Sequence, residues 1–157
     1  MTKQINQKTT DPNAIFKAVR LIYLAITVGA GFFILILYFI NGDIRFSLNT
    51  ISLTIAVSLL IIPILFSRIL YKRILQKTDK NAPIEEKMSV YRQAAVLRAI
   101  IIEGTIFLAV ILYLIQGCTL YYVVAFALLL YLIMIFPTKQ RMFGDLEVDF
   151  KDRQRFD

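Results

Sequence analysis

From Gly104 to Thr138 the chain runs without a charged residue. As one helix, at about 1.5 Å per residue, this stretch would be roughly 50 Å long, too long for one crossing of a hydrocarbon core of about 30 Å. It has to fold back, and Gln116-Gly117-Cys118-Thr119 is the obvious turn. Leu21 to Ile40 and Phe46 to Ser67 are also uncharged, and each is long enough for one crossing, which needs about 20 residues. Four spans follow, at about 18–40, 47–70, 94–116 and 119–137. The expected fold class is an all-α membrane protein, a four-helix transmembrane bundle with short outer turns and a helical inner extension between spans two and three. At 58% hydrophobic residues and a mean hydropathy of +0.67, the chain is too apolar for a soluble domain of 157 residues.

The net charge of +7 could suggest nucleic acid, but its distribution argues for topology instead. Of 18 Lys and Arg residues, only Arg45 falls in an outer loop. The others precede the first span, lie between Arg68 and Arg98, or follow the fourth span. Positive charge gathers on the inner side of a membrane, so both termini and the inner loop 71–93 are expected in the cytoplasm. Residues 1–13 read as a flexible N-terminus, residues 14–137 as the membrane domain and 138–157 as a solvated, charge-balanced tail containing Asp145, Glu147 and Asp149. The first apolar run is too long for a signal-peptide core and reads as a retained anchor. With one cysteine, Cys118, and no histidine, neither an internal disulfide nor a metal cluster is expected, and no cofactor is implied.

Arg98 and Glu103 are ionisable residues within or beside the third span. At the rise of a helix, Glu103 lies roughly 3 Å from the midplane and Arg98 about 10 Å from it. A charge at the centre of a bilayer costs about 2.5 to 3.5 kcal/mol on insertion scales. Arg98 can lead its guanidinium along its apolar stem to the nearer headgroups, whereas Glu103 is too short and too deep. The two are five residues apart, poorly aligned for an intrahelical pair. Glu103 therefore has to be protonated, face water or find a partner on another helix. Tyr131, estimated at a similar depth in the fourth span, is its first candidate hydroxyl partner.

Other polar residues in the spans are sparse. Thr27 and Tyr23 lie in the inner half of the first span, where Ala25 and Gly29 form a small-xxx-small pair that lets another helix approach. Thr54 and Ser58 share a face of the second, and Pro63 is expected to kink that helix and free the Leu59 carbonyl. Asn41-Gly42-Asp43 reads as a tight reversal, and Thr78 to Pro83 as a break after which the third helix begins near Ile84 with Glu85 and Glu86 in its first turn. A shift of 75 residues lays Ile34–Gly42 on Ala109–Gly117 with five of nine positions identical, a pattern that points to two duplicated hairpins.

The combination of Tyr91, Arg98, Glu103-Gly104, an apolar hairpin ending in Pro137-Thr138-Lys139, and Asp145-Leu146 resembles a family of small four-span bacterial inner-membrane proteins. The resemblance covers residues 88 to 147. It implies a multi-pass protein of the bacterial inner membrane and carries no activity with it.

Three functions are compatible with this pattern. The first is a structural or accessory subunit of a larger membrane complex, or a homo-oligomer, with Glu103 and Arg98 as buried polar contacts to a partner. The second is a small proton-coupled transporter built around Glu103, its path lined by Arg98, Pro63, Thr27, Ser58 and Tyr131. The third, a lipid-directed enzyme with Arg98 on a phosphate headgroup, lacks an acid–base pair or nucleophile. No nucleotide loop or metal cluster is present in the sequence, so the first reading leads and enzymatic activity is not expected.

Overall fold

The computed structural model describes residues 11–40, 49–77 and 82–146. The expected reversal at Asn41-Gly42-Asp43, most of the break at 78–83, and Glu147 and Asp149 fall outside them. The described residues form five helices and no strand.

Helix α1 spans Pro12–Ile40. The Asn13 amide donates to Asp11 Oδ1 at 3.0 Å, and Pro12 stands in the first turn, where a missing N–H costs nothing. The helix thus starts two residues before Ala14, inside the segment read as flexible. Helix α2 spans Thr50–Gln76, with Asn49 as its N-cap. Pro63, where a kink is expected, is buried within this helix, which continues on both sides of it. Helix α3 spans Ile84–Gln116, with Glu85 and Glu86 in its first turn. It ends at Gly117, whose φ of 62° is the left-handed conformation glycine adopts freely, and whose N–H donates to the Tyr113 carbonyl at 2.8 Å.

Helix α4 spans Thr119–Met134 and α5 spans Lys139–Asp145. Thr138 caps α5, accepting from the Arg141 amide. The last two helices meet at a bend of 80°, just where Pro137 removes a donor and disfavours helix at the residue before it. The region from residue 138, expected as solvated tail, therefore begins with a helix folded back on the molecule, its Met142 fully buried and Leu146 nearly so. Three helices, α1, α2 and α3, are long and apolar enough to cross a membrane, and α4 with α5 makes a fourth candidate if the bent pair is one span. With 16 residues, α4 alone is about 24 Å long, shorter than the expected span 119–137.

The packing is organised around α3, which lies against α1, α2 and α4, while α1 and α2 scarcely touch each other. Its buried side repeats at intervals of three and four: Met88, Tyr91, Ala95, Ala99, Ile102, Ile106, Ala109 and Tyr113. Alternating threes and fours keep these side chains on one stripe. The alanines among them, with Ala94, are at most 3% exposed, and they let the neighbouring backbones come close, the usual basis of helix association in lipid. Many other large aliphatic and aromatic side chains lie outside. Phe32, Phe39, Ile62, Phe66, Ile115 and Met134 are each more than half exposed, far more apolar surface than a soluble monomer presents. This apolar exterior is consistent with a multi-pass membrane protein.

Two expectations about packing are met differently. Ala25 and Gly29 are both exposed, and a Cβ on Gly29 would meet nothing within 4 Å. The close approach occurs one residue on, where Ala30 is fully buried and a Cβ on Gly31 would stand 3.7 Å from Leu129 of α4. The two halves of the chain also pack unlike each other: α3 and α4 pack directly together, whereas α1 and α2 scarcely meet and each packs on α3.

Candidate functional site

At the end of the molecule where α2 finishes and α5 folds back, four helices bring a set of phenols around Arg98. The residue sits beside Ala99, just off the buried stripe of α3. Its Nη2 donates to the Tyr131 hydroxyl on α4 at 2.7 Å. The centre of the guanidinium lies 5.2 Å from the Tyr71 ring and 5.7 Å from the Tyr131 ring, within the range in which an aromatic face attracts a cation. Tyr71, near the end of α2, meets Tyr91 edge-on at 6.5 Å. Its hydroxyl donates to Asp145 Oδ2 at 2.6 Å, a short bond of the charge-assisted kind. The α5 helix is thus held by a polar bond at its end as well as by Met142.

One polar atom in this constellation is left over. The Nε of Arg98 is buried and finds no hydrogen-bond partner among the described residues. Arg141 of α5 turns back to donate from Nη1 to the Met134 carbonyl at 2.6 Å, satisfying one of the orphan acceptors at the end of α4.

A cavity of about 650 Å³ opens beside this cluster, with Arg68 and Lys72 of α2, Arg98 of α3 and Arg141 of α5 around it and Asp145 as its acid. Tyr71 and Tyr131 form part of its wall, and Leu75, Met134 and Ile135 make an apolar side. A small pocket of about 30 Å³ lies behind, between Tyr23, Tyr91, Ala95 and Pro137. Chemically, the larger cavity is a place for an anion: several cations, one carboxylate and aromatic faces that orient the innermost guanidinium.

The other residues singled out in the sequence do not converge on this place. Glu103 is partly exposed on α3 and borders neither the cavity nor the small pocket. It makes no hydrogen bond or ion pair among the described residues. Tyr131, expected as its partner, is engaged by Arg98 instead. Equal depth did not decide the match, because the long side chain of Arg98 covers the offset between the two levels while Glu103 lies on another face of α3. Thr27 donates to the Tyr23 carbonyl of its own helix at 2.8 Å. Ser58 and Pro63 line a shallow, mainly apolar groove between α2 and α3, with Ile101 and Thr105. No group of three or more metal-ligating side chains occurs among the described residues.

Sequence reasoning missed Asp145, Tyr71, Arg68, Lys72 and Arg141 as members of one site. What drew them together is the return of α5, which Thr138 followed by Met142, Phe143 and Leu146 could have signalled. Compared with known proteins, the chain matches no family model, no curated protein sequence and no solved structure.

Proposed function

We propose that the protein is a non-enzymatic accessory subunit of a larger membrane complex, crossing the bacterial inner membrane four times with both termini in the cytoplasm. The topology rests on the concentration of Lys and Arg in the inner segments, and the location on the resemblance of residues 88–147. The fourth crossing is α4, completed by the residues that join it to α5.

One observation carries the functional reading: Glu103, near the middle of the third crossing, has no partner among the described residues. It adjoins an uncovered face of α3, where Leu97, Ile100, Leu108, Ile111 and Ile115 are exposed at helical spacing, and where a Cβ on Gly104 would meet nothing within 4 Å. A carboxyl group at that depth is stabilised by a donor from outside the chain. The occupant proposed is a transmembrane helix of another protein that presents a Lys, Arg or Tyr donor at the level of Glu103 and packs over Gly104. The transporter reading has less support, since Arg98 and Tyr131 hold each other and Ser58 and Pro63 lie on a separate groove, so the polar groups do not gather around the acid.

Gentle detergent extraction of the tagged chain followed by native mass determination tests this. A stoichiometric larger partner is expected, lost in Glu103→Leu and in Gly104→Leu while the isolated variant chains insert and stay as stable as the parent. A homo-oligomer without another protein would overturn the reading, and proton-coupled flux that disappears in Glu103→Gln would favour the carrier.

A further inference from the structure

We infer that the cavity between α2, α3, α4 and α5 binds a phosphate group, as a phosphate ester with a short apolar neighbour such as a phospholipid headgroup and its glycerol. This site stands apart from the face of α3 proposed to hold a partner and does not depend on it.

Four cations converge there from three helices, against one carboxylate that already accepts from Tyr71. A volume of about 650 Å³ suits a ligand of this class. Surface cations alone would be weak evidence, because exposed Lys and Arg are ordinary at this level of a membrane protein. Arg98 makes the case different. Its guanidinium is held between the faces of Tyr71 and Tyr131, its Nη2 is fixed on a phenol, and the residue borders the cavity. A planar fork kept in one orientation is the arrangement that recognises phosphate oxygens geometrically. Arg68, Lys72 and Arg141, all exposed, add charge around it, Arg141 being anchored by its bond to the Met134 carbonyl.

The remaining wall decides the class of ester. Leu75, Ile135 and Met134 border the cavity, and Met134 is 71% exposed on the outer surface of α4. The cavity therefore passes from cations to apolar surface, as the boundary between headgroup and acyl chain does. With the basic end in the cytoplasm, the ligand would come from the inner leaflet. The same cations would take the phosphate of a soluble ester, and the two sources differ in whether the apolar wall is used.

The full chain is reconstituted in nanodiscs of phosphatidylcholine with an equal share of phosphatidylglycerol, and the lipids it retains are identified by native mass spectrometry. In parallel, inorganic phosphate and glycerol 3-phosphate are titrated against the protein in a neutral detergent, with thermal unfolding as the readout. Preferential retention of phosphatidylglycerol, or stabilisation by either soluble phosphate, is expected, and each is weakened about tenfold by Arg98→Met, the loss of one charge-assisted contact of about 1.4 kcal/mol. Retention of lipid without an effect of the soluble phosphates identifies the lipid as the source, and the reverse identifies a soluble ester. The double substitution Arg68→Gln and Lys72→Gln, at exposed positions, provides the same test if Arg98→Met does not fold. Lys17→Gln, exposed on α1 and away from the cavity, is expected to change nothing. Equal retention of both lipids with no phosphate effect overturns the inference, as does a preference that the cavity variants and Lys17→Gln weaken alike.

Discussion

Replacing Tyr131 by Phe removes one oxygen from the interior and leaves the ring in place. In the parent that oxygen accepts from Arg98 Nη2 at 2.7 Å. A hydrogen bond with one charged partner contributes about 1.5 to 3 kcal/mol, and the low end applies here because Arg98 borders an open cavity from which water can reach it. The cation–aromatic attraction, about 0.5 to 1 kcal/mol, survives in Phe since the ring face is unchanged. The net expectation is a loss of about 1.5 kcal/mol, roughly a tenfold shift in the unfolding equilibrium. Arg98→Met supplies the other edge of a double-mutant cycle, being of similar length and without donors. The assay is reversible unfolding in mixed micelles, followed by far-ultraviolet circular dichroism for the parent, both single variants and the double. A coupling of about 1 to 1.5 kcal/mol between the two positions is expected. A coupling below about 0.3 kcal/mol, within the scatter of additive sites, would refute the claim that the phenol fixes the guanidinium, and with it the premise of an oriented fork.

Further outcomes follow from other parts of the fold. Tyr71→Phe breaks the bond that ties α5 to α2 and should cost about 1 kcal/mol, since Asp145 is exposed; hydrogen exchange over residues 139–145 should accelerate while that of α3 does not. Gly117→Ala places a side chain at a φ of 62° and is expected to lower stability by about 1 kcal/mol in the same unfolding assay. Ala99→Leu forces a bulky side chain into the tightest seam of α3, where Ala99 is fully buried, and a loss of about 1 to 3 kcal/mol is expected. The equivalent change at Ala25, which faces outward, should be close to neutral.

Helix ends were the legible part of this chain. Pro83 with two acidic residues after it announced the start of α3, and the impossibility of crossing in one piece from Gly104 to Thr138 placed the reversal at Gly117. These signals are local, so a sequence carries them directly. Relative height within one helix was legible too, because the rise per residue is fixed. Azimuth was not. Tyr131 was matched to Glu103 by height, yet which side of α4 faces which side of α3 is fixed by where Ala99, Ile102 and Ile106 pack. The same blindness assigned close approach to Ala25 and Gly29 when Ala30 and Gly31 provide it, a rotation of one residue. The site was the least legible, since Asp145 reaches Tyr71 across 74 positions of sequence through a helix of seven residues whose composition reads as tail.

That α1 and α2 scarcely touch each other, and meet the rest of the molecule chiefly through α3, bears on the order in which the protein can come into being. A chain is made from its N-terminus, so both early helices exist before the surface that will hold them has been synthesised. Until residue 84 and its successors emerge, little among the described residues joins α1 to α2. The first half is therefore a pair of waiting helices without a tertiary structure to share, and folding becomes a late, single event in which α3 enters between them with α4 behind it. Truncation after α2 should accordingly leave helices that insert but do not associate, whereas α3 and α4 together already contain a complete seam.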